Sequence, residues 1–465
     1  MKMINFAPEF IYKSFLLSNM NTKALTSCTA FLLSLLVTTF ALTACSDSDS
    51  ASDVKVNPGL PERTYKLDWK ITNEDRPNVV MDKAMGGQLK CDFDQIIFEY
   101  TSVGPDLKTP VRLTGTINMP RKVFTKELDP RHLLILTQWT HTKYTERFSL
   151  EGKEEMSLLM TGSQGVIAIS SDLYGWTLTQ DKPQAYCCPE ITAVETLDCW
   201  DAAIEILKSK GYKIDGLPIS NIGYSSAGML AIGIQRFIDE HRPDIQVTFT
   251  GVGSSPYDIN DVWQHSVETN YTGYVCSFPL ILVGYNETYK MGIDYKELFK
   301  EPLCDHIQDW ILDKQLYTSD INKNIGKEKK VDEILTPAGC DWTKGIGKVL
   351  YDKFKQNSLC DPSSTWQPSK TTQFYVMHST KDSYMDWHVS EKMANFLKQR
   401  GCKVITDFED YGDHNDYGGI MFAIQTCLLL ETSDNQEDSE DVKDMVAYLK
   451  KALDENPELR SLFSK

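Results

Sequence analysis

The sequence predicts an α/β protein in which a mostly parallel central sheet is covered by helices on both faces. Short apolar runs of strand character alternate along the chain with segments whose apolar residues recur every three or four positions, which is the pattern of such a sheet. The 465 residues are 41% hydrophobic and 24% charged. This composition is typical of a globular protein and excludes a disordered, collagen-like or multi-span membrane chain.

The first two predicted strands form an antiparallel hairpin. They cover 95–103 and 110–119, and a polar turn with Gly104, Pro105 and Asp106 separates them. Six further apolar runs predict buried strands. These cover 132–138, 165–170, 217–225, 247–254, 373–378 and 403–409.

Helical periodicity fills most of the gaps between the predicted strands. One apolar face lies in 191–208 and consists of Val194, Leu197, Trp200, Ile204 and Leu207. A second face consists of Val389, Met393, Phe396 and Leu397, and Gly401 marks the end of that helix. The segment 295–315 also has helical character.

The amino-terminal segment has the pattern of a secretory signal. Lys23 precedes an apolar run of 13 residues, Ala30 to Leu42, which is shorter than the ~20 residues that span a bilayer. The run ends in Leu42-Thr43-Ala44-Cys45, which resembles the bacterial lipobox. This resemblance implies a signal peptide over 1–44, with Met20 as a possible start, and lipidation of Cys45. A plain signal peptide and an uncleaved anchor are the alternatives.

Residues 45–60 are polar and acidic, which predicts a flexible tether after the lipidated cysteine. Acidic residues at this place also resemble the surface-export signal of Bacteroidetes lipoproteins. The expected protein is therefore exported and attached through its lipid to the bacterial outer membrane, on the periplasmic or the cell-surface face.

The net charge of −17 argues against a nucleic-acid partner, which would favour a basic surface. The sequence contains no C-x-x-C pair and no H-E-x-x-H helix motif, so we predict no metal site. No cofactor is predicted either, and the oligomeric state stays open.

A serine motif follows the fifth predicted strand, in Gly223-Tyr224-Ser225-Ser226-Ala227-Gly228. It resembles the nucleophile elbow of the α/β-hydrolase fold, in which a serine lies on a strained turn from strand to helix and needs small neighbours two residues away. Ser225 has Gly223 and Ala227 at these positions, whereas Ser226 has the bulky Tyr224. We therefore predict Ser225 as the nucleophile.

A serine nucleophile needs a histidine base that a carboxylate holds in one tautomer, and the resemblance implies the chain order serine, acid, histidine. Asp382 follows the strand 373–378 in a segment similar to the family's H-G-x-x-D, with Asp386 as the nearest rival. His414 follows the last strand and is the predicted base. His388 is the rival, but it lies only six residues beyond Asp382.

The resemblance also implies an oxyanion hole made of two backbone N–H groups. The N–H of Ser226 is the first predicted donor. The second comes from the loop after the strand 132–138, where we place it at Trp139, with Thr140 as the alternative.

The 114 residues from Pro256 to Ser369 are too long for a connector and predict a helical cap. The predicted α/β-hydrolase core then covers 61–255 and 370–465. Caps at this place occur in esterases and lipases similar to the fungal secretory lipases, whose opening strands also resemble 97–120. The expected protein is a serine hydrolase of carboxylic esters, acting on a small-molecule, lipid or acylated-glycan ester. A peptidase or amidase with the same triad and a non-catalytic surface-binding lipoprotein are the alternatives.

Overall fold

The structure is a computed structural model that describes residues 65–81, 90–150, 165–326, 328, 330–415 and the single positions 418, 421 and 425. The predicted signal peptide over 1–44, the lipidation site Cys45, the tether over 45–60 and the last part of the predicted core, 426–465, lie outside the described residues.

A single nine-stranded sheet forms the centre of the described chain, with the strand order β1-β2-β3-β5-β4-β6-β7-β8-β9. The strands are β1 Trp69–Met81, β2 Lys90–Val103, β3 Pro110–Pro120, β4 His132–Leu136, β5 Val166–Ser171, β6 Ile219–Tyr224, β7 Val247–Gly253, β8 Gln373–Ser379 and β9 Lys403–Glu409. The first three strands and the β3–β5 pair are antiparallel, whereas all pairs from β5 to β9 are parallel.

The predicted strands are all present, within a few residues at their ends. The strands β4 and β5 have the sequences HLLIL and VIAISS, and every residue in them is buried. Such continuous apolar runs are expected where a parallel sheet is covered on both faces. Strand β1 was not predicted, because WKITNEDRPNVVM is polar and has no clear alternation, and the strand lies at the edge of the sheet.

The helices of the core connect successive strands of the sheet. They are α1 Arg121–Phe124, α2 Pro189–Ser209, α3 Ser226–His241 and, after β8, α11 His388–Gln399. The predicted face of α2 is buried along most of its length, and Pro189 occupies the first turn, where a missing N–H costs nothing. Gly401 has a φ of +76°, as expected just beyond the end of α11.

The segment between β7 and β8, predicted as a helical cap, contains seven α-helices among its described residues. These are α4 Ile259–Thr269, α5 Ser277–Thr288, α6 Tyr295–Leu298, α7 Thr318–Ile325, α8 Val331–Ile334, α9 Pro337–Cys340 and α10 Gly345–Gln356. The expected helical run over 295–315 is wrong in detail. It consists of α6, a 3₁₀ turn at Leu303–Asp305 and a π turn at Gln308–Leu312, and Pro302 falls between the first two, where it cannot continue a helix.

Within the described ranges, no helix combines the length and the apolar character that crossing a membrane requires. The parallel strands β4 to β9 all present their carboxyl ends at one edge of the sheet, because parallel neighbours run in the same direction. The loops that follow β4, β6, β8 and β9 therefore meet at that edge.

Candidate active site

Ser225 forms the turn between β6 and α3 and has a strained backbone. Its φ of +56° and ψ of −131° lie in a region that residues with a side chain rarely occupy. Its N–H donates to the carbonyl oxygen of Gly253 on the neighbouring β7, over 3.0 Å. The strain is thus held by the sheet on one side and by the start of the helix on the other.

The small residues around Ser225 are required by close backbone contacts. A Cβ atom at Gly223 would lie 2.1 Å from the carbonyl oxygen of Ala227, and one at Gly228 would lie 2.8 Å from the Cβ of Ser255. Neither approach leaves room for a side chain. The turn can therefore be this tight only with glycine at 223, as the motif predicts.

Ser225, His414 and Asp382 form a hydrogen-bonded chain. The Nε2 of His414 lies 3.0 Å from the Oγ of Ser225, and the Nδ1 of His414 lies 2.7 Å from the Oδ2 of Asp382. The side chains of Asp382 and His414 are almost completely buried. The structure thus brings together the three side chains that the sequence analysis singled out on three separate loops.

The environment of Asp382 keeps the carboxylate ionised. Burial by itself would raise its pKa, but contacts with the rings of His378 and His414 outweigh burial and hold the pKa well below its usual range. Its Oδ1 accepts hydrogen bonds from the backbone N–H groups of Tyr384 at 2.8 Å and Met385 at 3.1 Å. An ionised carboxylate can only accept, so the Nδ1 of His414 carries the proton and the Nε2 presents a lone pair to Ser225.

Backbone and ring contacts fix His414 in place. The hydroxyl of Tyr224 donates to the carbonyl oxygen of His414, and the Oδ1 of Asp413 accepts from the His414 N–H at 2.7 Å. The same Oδ1 accepts from the N–H of Ser383 at 2.9 Å, which ties the base loop to the acid loop. The ring of Tyr384 stacks on the imidazole with centroids 4.8 Å apart.

His378 is a neighbour of the triad that the sequence analysis did not identify. Its Nδ1 lies 2.7 Å from the Oγ of Ser390, and its Nε2 lies 3.2 Å from the Oδ2 of Asp382, although the ring is not oriented for a good hydrogen bond to that oxygen. The side chain is completely buried. The spacing of four residues between His378 and Asp382 was a signal for this contact, since the turn after β8 folds the chain back on itself.

The rival residues are occupied elsewhere. Asp386 and His388 are exposed and pair with each other, with 2.6 Å between the Oδ1 and the Nδ1. The Oγ of Ser226 accepts a hydrogen bond from the Oγ1 of Thr140 at 3.0 Å and is turned away from the His414 pair. The hydroxyl of Tyr186 joins the same cluster, 2.6 Å from the Thr140 Oγ1.

The two predicted oxyanion donors come from two separate parts of the chain. Ser226 is the first residue of α3, and Trp139 lies in the loop after β4. The Trp139 ring stacks beside His141 with centroids 5.9 Å apart. Both residues line one cavity.

The segment between β7 and β8 contacts the site through Tyr274. The Tyr274 ring stacks on Tyr384 with centroids 4.5 Å apart, and Tyr384 in turn stacks on His414. The backbones approach closely here, since a Cβ at Gly273 would lie 1.7 Å from the carbonyl oxygen of Ser383. Trp263, by contrast, packs on Phe278 and Phe354 inside the segment.

Among the residues that the structure describes, no group of three or more His, Cys, Asp or Glu side chains is arranged to hold a metal ion. The site offers a hydroxyl, an imidazole and a carboxylate in one hydrogen-bonded chain. A hydroxyl that faces an imidazole lone pair, with a carboxylate behind the ring, is the arrangement that turns a serine into a nucleophile.

Neither the family models nor the curated proteins contain a match to this chain. Solved structures do match. A candidate hydrolase from Legionella pneumophila superposes with a TM-score of 0.67 at 15% identity, covering 80% of this chain and 99% of its own. The rice cell wall degrading esterase LipA from Xanthomonas oryzae gives 0.64 at 18% identity, covering 83% and 98%. Candida antarctica lipase A gives 0.57 at 11% identity, covering 88% and 95%.

These likenesses concern the fold. They confirm the predicted fold class, an α/β-hydrolase fold with a mostly parallel central sheet and helices around it. The match extends over nearly the whole length of each similar structure, so the neighbours share the complete architecture.

Proposed function

We propose that this protein is a serine hydrolase that cleaves carboxylic esters through an acyl-enzyme. The observation that carries the proposal is the hydrogen-bonded chain from Ser225 through His414 to Asp382, with the serine on a strained turn. The fold supports it, because similar structures include proteins described as an esterase and a lipase.

The first step uses the lone pair on the Nε2 of His414. As the Ser225 Oγ attacks the ester carbonyl, its proton passes over the 3.0 Å hydrogen bond to this nitrogen. The imidazolium that results faces the Asp382 carboxylate at 2.7 Å, which stabilises the new charge and prevents the ring from turning. His414 then donates the proton to the leaving alcohol.

The tetrahedral intermediate places negative charge on the former carbonyl oxygen. The N–H of Ser226, at the start of α3, and the N–H of Trp139 are the proposed donors to it. Removal of one such donor costs about 3 kcal/mol in typical serine hydrolases. A water molecule then attacks the acyl-enzyme with His414 again as the base, which restores the free serine.

The proposed site of action is outside the cytoplasm. The lipobox-like segment that ends at Cys45 supports export and attachment to the outer membrane by a lipid, and the acidic residues after it favour display at the surface. The proposed substrates are accordingly small-molecule, lipid or acylated-glycan esters. The segment between β7 and β8 is the proposed cap, because its Tyr274 reaches the rings over the base.

A fluorophosphonate probe tests the nucleophile. It should label the wild type, and Ser225→Ala should abolish the labelling, because the probe reacts only with an activated hydroxyl. Ser226→Ala is the matched control. Its proposed role is a backbone N–H, so this variant should still be labelled. Loss of labelling in Ser226→Ala alone would mean that the nucleophile has been placed one residue too early.

The histidine pair tests the base. His414→Ala should lower kcat on p-nitrophenyl butyrate by several orders of magnitude, whereas His388→Ala should change it little, because His388 is exposed and pairs with Asp386. Parallel measurement of p-nitrophenyl butyrate and the corresponding p-nitroanilide separates an esterase from an amidase. Faster turnover of the anilide would contradict the proposed preference for esters.

A further inference from the structure

A cavity with several polar side chains in its wall lies beside Ser226. Its walls are the loop after β4, the loop between β5 and α2, and the first turns of α2 and α3. Its lining side chains include Gln138, Trp139, Arg147, Trp176, Tyr186 and Glu195. Ser226 and Trp139, the proposed oxyanion donors, both line the cavity, so it borders the oxyanion side of the proposed site.

We propose that this cavity is a specificity subsite that receives a hydroxyl-bearing group of the ester substrate and binds it through Glu195. The inference rests on the proposed function and deepens it, since it names the chemical class of substrate. The subsite belongs to the core of the fold and is separate from the segment between β7 and β8.

Glu195 is the reason for expecting a ligand. The side chain lines the cavity and is about 99% buried. Its Oε2 accepts a hydrogen bond from the backbone N–H of Tyr174 at 3.0 Å, whereas its Oε1 is buried and has no hydrogen-bond partner among the described residues. Leaving a buried polar atom without a partner is unfavourable, so this oxygen favours a partner from outside the chain, such as a bound water or a polar group of a ligand.

The state of the carboxyl determines what it can bind. Burial, with a smaller contribution from Asp198 on the same helix, raises the pKa of Glu195 to about 8. The group therefore carries a proton at neutral pH. A carboxylic acid can both donate and accept, which matches a hydroxyl group, since a hydroxyl also does both.

The rest of the wall fits the same ligand. Gln138 accepts a hydrogen bond from the Nη1 of Arg147 at 2.6 Å, and the Arg147 guanidinium lies over the Trp176 ring at 3.5 Å. Amide and guanidinium groups offer further polar contacts, while Trp139 offers a flat apolar surface for the carbon skeleton of a polyol.

An anionic ligand is the competing possibility, because Arg147 is a cation. The Asp172 carboxyl already interacts with that charge, and burial raises the pKa of Asp172 to about 6. A second carboxylate in the same space would have to share one cation with Asp172. A neutral hydroxylated group avoids this competition, so it is the ligand to which the observations point.

Matched pairs of esters test the subsite. Glycerol monobutyrate and propyl butyrate differ only in the two hydroxyls of the alcohol part, and propyl 3-hydroxybutyrate and propyl butyrate differ by one hydroxyl in the acyl part. The measured quantity is the ratio of kcat/KM within each pair, which does not depend on how much of the preparation is folded. At least one ratio should favour the hydroxylated ester in the wild type.

Two variants should lower that ratio. Glu195→Met keeps the length of the side chain but removes its polar atoms, and the ratio should fall about fivefold to tenfold. Glu195→Gln should retain part of the preference, because its amide can still donate. Thr192→Leu narrows the cavity from the same helix and keeps Glu195 itself unchanged. It should also lower the ratio and provides the decisive measurement if Glu195→Met does not fold.

Asp239→Asn is the matched control, since Asp239 is a largely buried carboxyl bound by Trp366 and Ser369 near the amino end of β8, away from this cavity. Its ratio should equal that of the wild type.

Unchanged ratios of kcat/KM in Glu195→Met and Thr192→Leu would overturn the proposed subsite. A wild type that prefers propyl hydrogen succinate to propyl butyrate would also overturn it, because that preference would indicate an anion site. If Ser225 is labelled and esters are turned over without a preference for hydroxyls, the subsite fails and the proposed function stands. If neither labelling nor turnover occurs, both fail.

Discussion

Replacement of Asp382 by asparagine is the sharpest test of the proposed chemistry, because the structure predicts how the amide will sit. The Oδ1 of Asp382 accepts from two backbone N–H groups, those of Tyr384 and Met385. In the variant the amide oxygen has to take this place, since an NH₂ group cannot accept. The NH₂ group is then directed at the Nδ1 of His414, where Asp382 now presents Oδ2 at 2.7 Å.

The size of the effect follows from the tautomer. An imidazole that accepts at Nδ1 carries its proton on Nε2, and this nitrogen then faces the Ser225 hydroxyl as a donor and cannot take its proton. The negative charge that stabilises the imidazolium is lost as well. Comparable losses of orientation lower kcat by about 10³ to 10⁴, or about 4–5.5 kcal/mol of transition-state stabilisation.

The assay is kcat on p-nitrophenyl butyrate at neutral pH, with circular dichroism to confirm that the variant is folded. Asp386→Asn is the matched control on the same loop. Its carboxylate pairs with the exposed His388, and the variant should stay within about threefold of the wild type, as is usual for a surface ion pair. An Asp382→Asn enzyme within tenfold of the wild type, or equal losses in both variants, would refute the assigned acid.

Three further predictions concern stability, the cap and the anchor. The pKa of Glu195 is about 8 in the folded protein and about 4.3 in the unfolded chain, so the free energy of unfolding should fall as pH rises between these values. Glu195→Gln should remove up to about 1.4 kcal/mol of this loss per pH unit, as measured by urea denaturation at pH 5 and 7. An equal change in unfolding free energy in the wild type and the variant would contradict this prediction. Tyr274→Ala removes the ring that stacks on Tyr384 over His414, and should raise KM for long-chain esters more than for p-nitrophenyl acetate; equal losses on both would place Tyr274 in the catalytic machinery. Cys45→Ala should lose labelling by a clickable fatty acid and release the protein from membranes; an unlabelled protein that stays in the membrane would indicate an uncleaved helix.

Local signals in the sequence were enough for the class of fold and for the elbow. Each parallel strand is an apolar run of its own, and the close approach of Gly223 to Ala227 occurs within five residues of chain. The rule that parallel strands end at one edge then placed Asp382 and His414 opposite the serine, as the structure has them.

Other features depend on contacts between distant parts of the chain. The polar strand β1 exists because it pairs with β2, and its own sequence has no strand pattern. The stack of Tyr274 on Tyr384 joins residues 110 positions apart, and nothing near either tyrosine indicates it.

The cavity beside Ser226 shows the same limit. Glu195 appears in the sequence as one of the charged residues of an amphipathic helix, for which solvent is the expected surrounding. Only the packing of α2 against the loops after β4 and β5 removes it from water, raises its pKa and leaves its Oε1 without a partner. Periodicity and turn residues report the local backbone, whereas burial and charge state depend on which distant surfaces come to cover a side chain, and that is decided when the chain has folded.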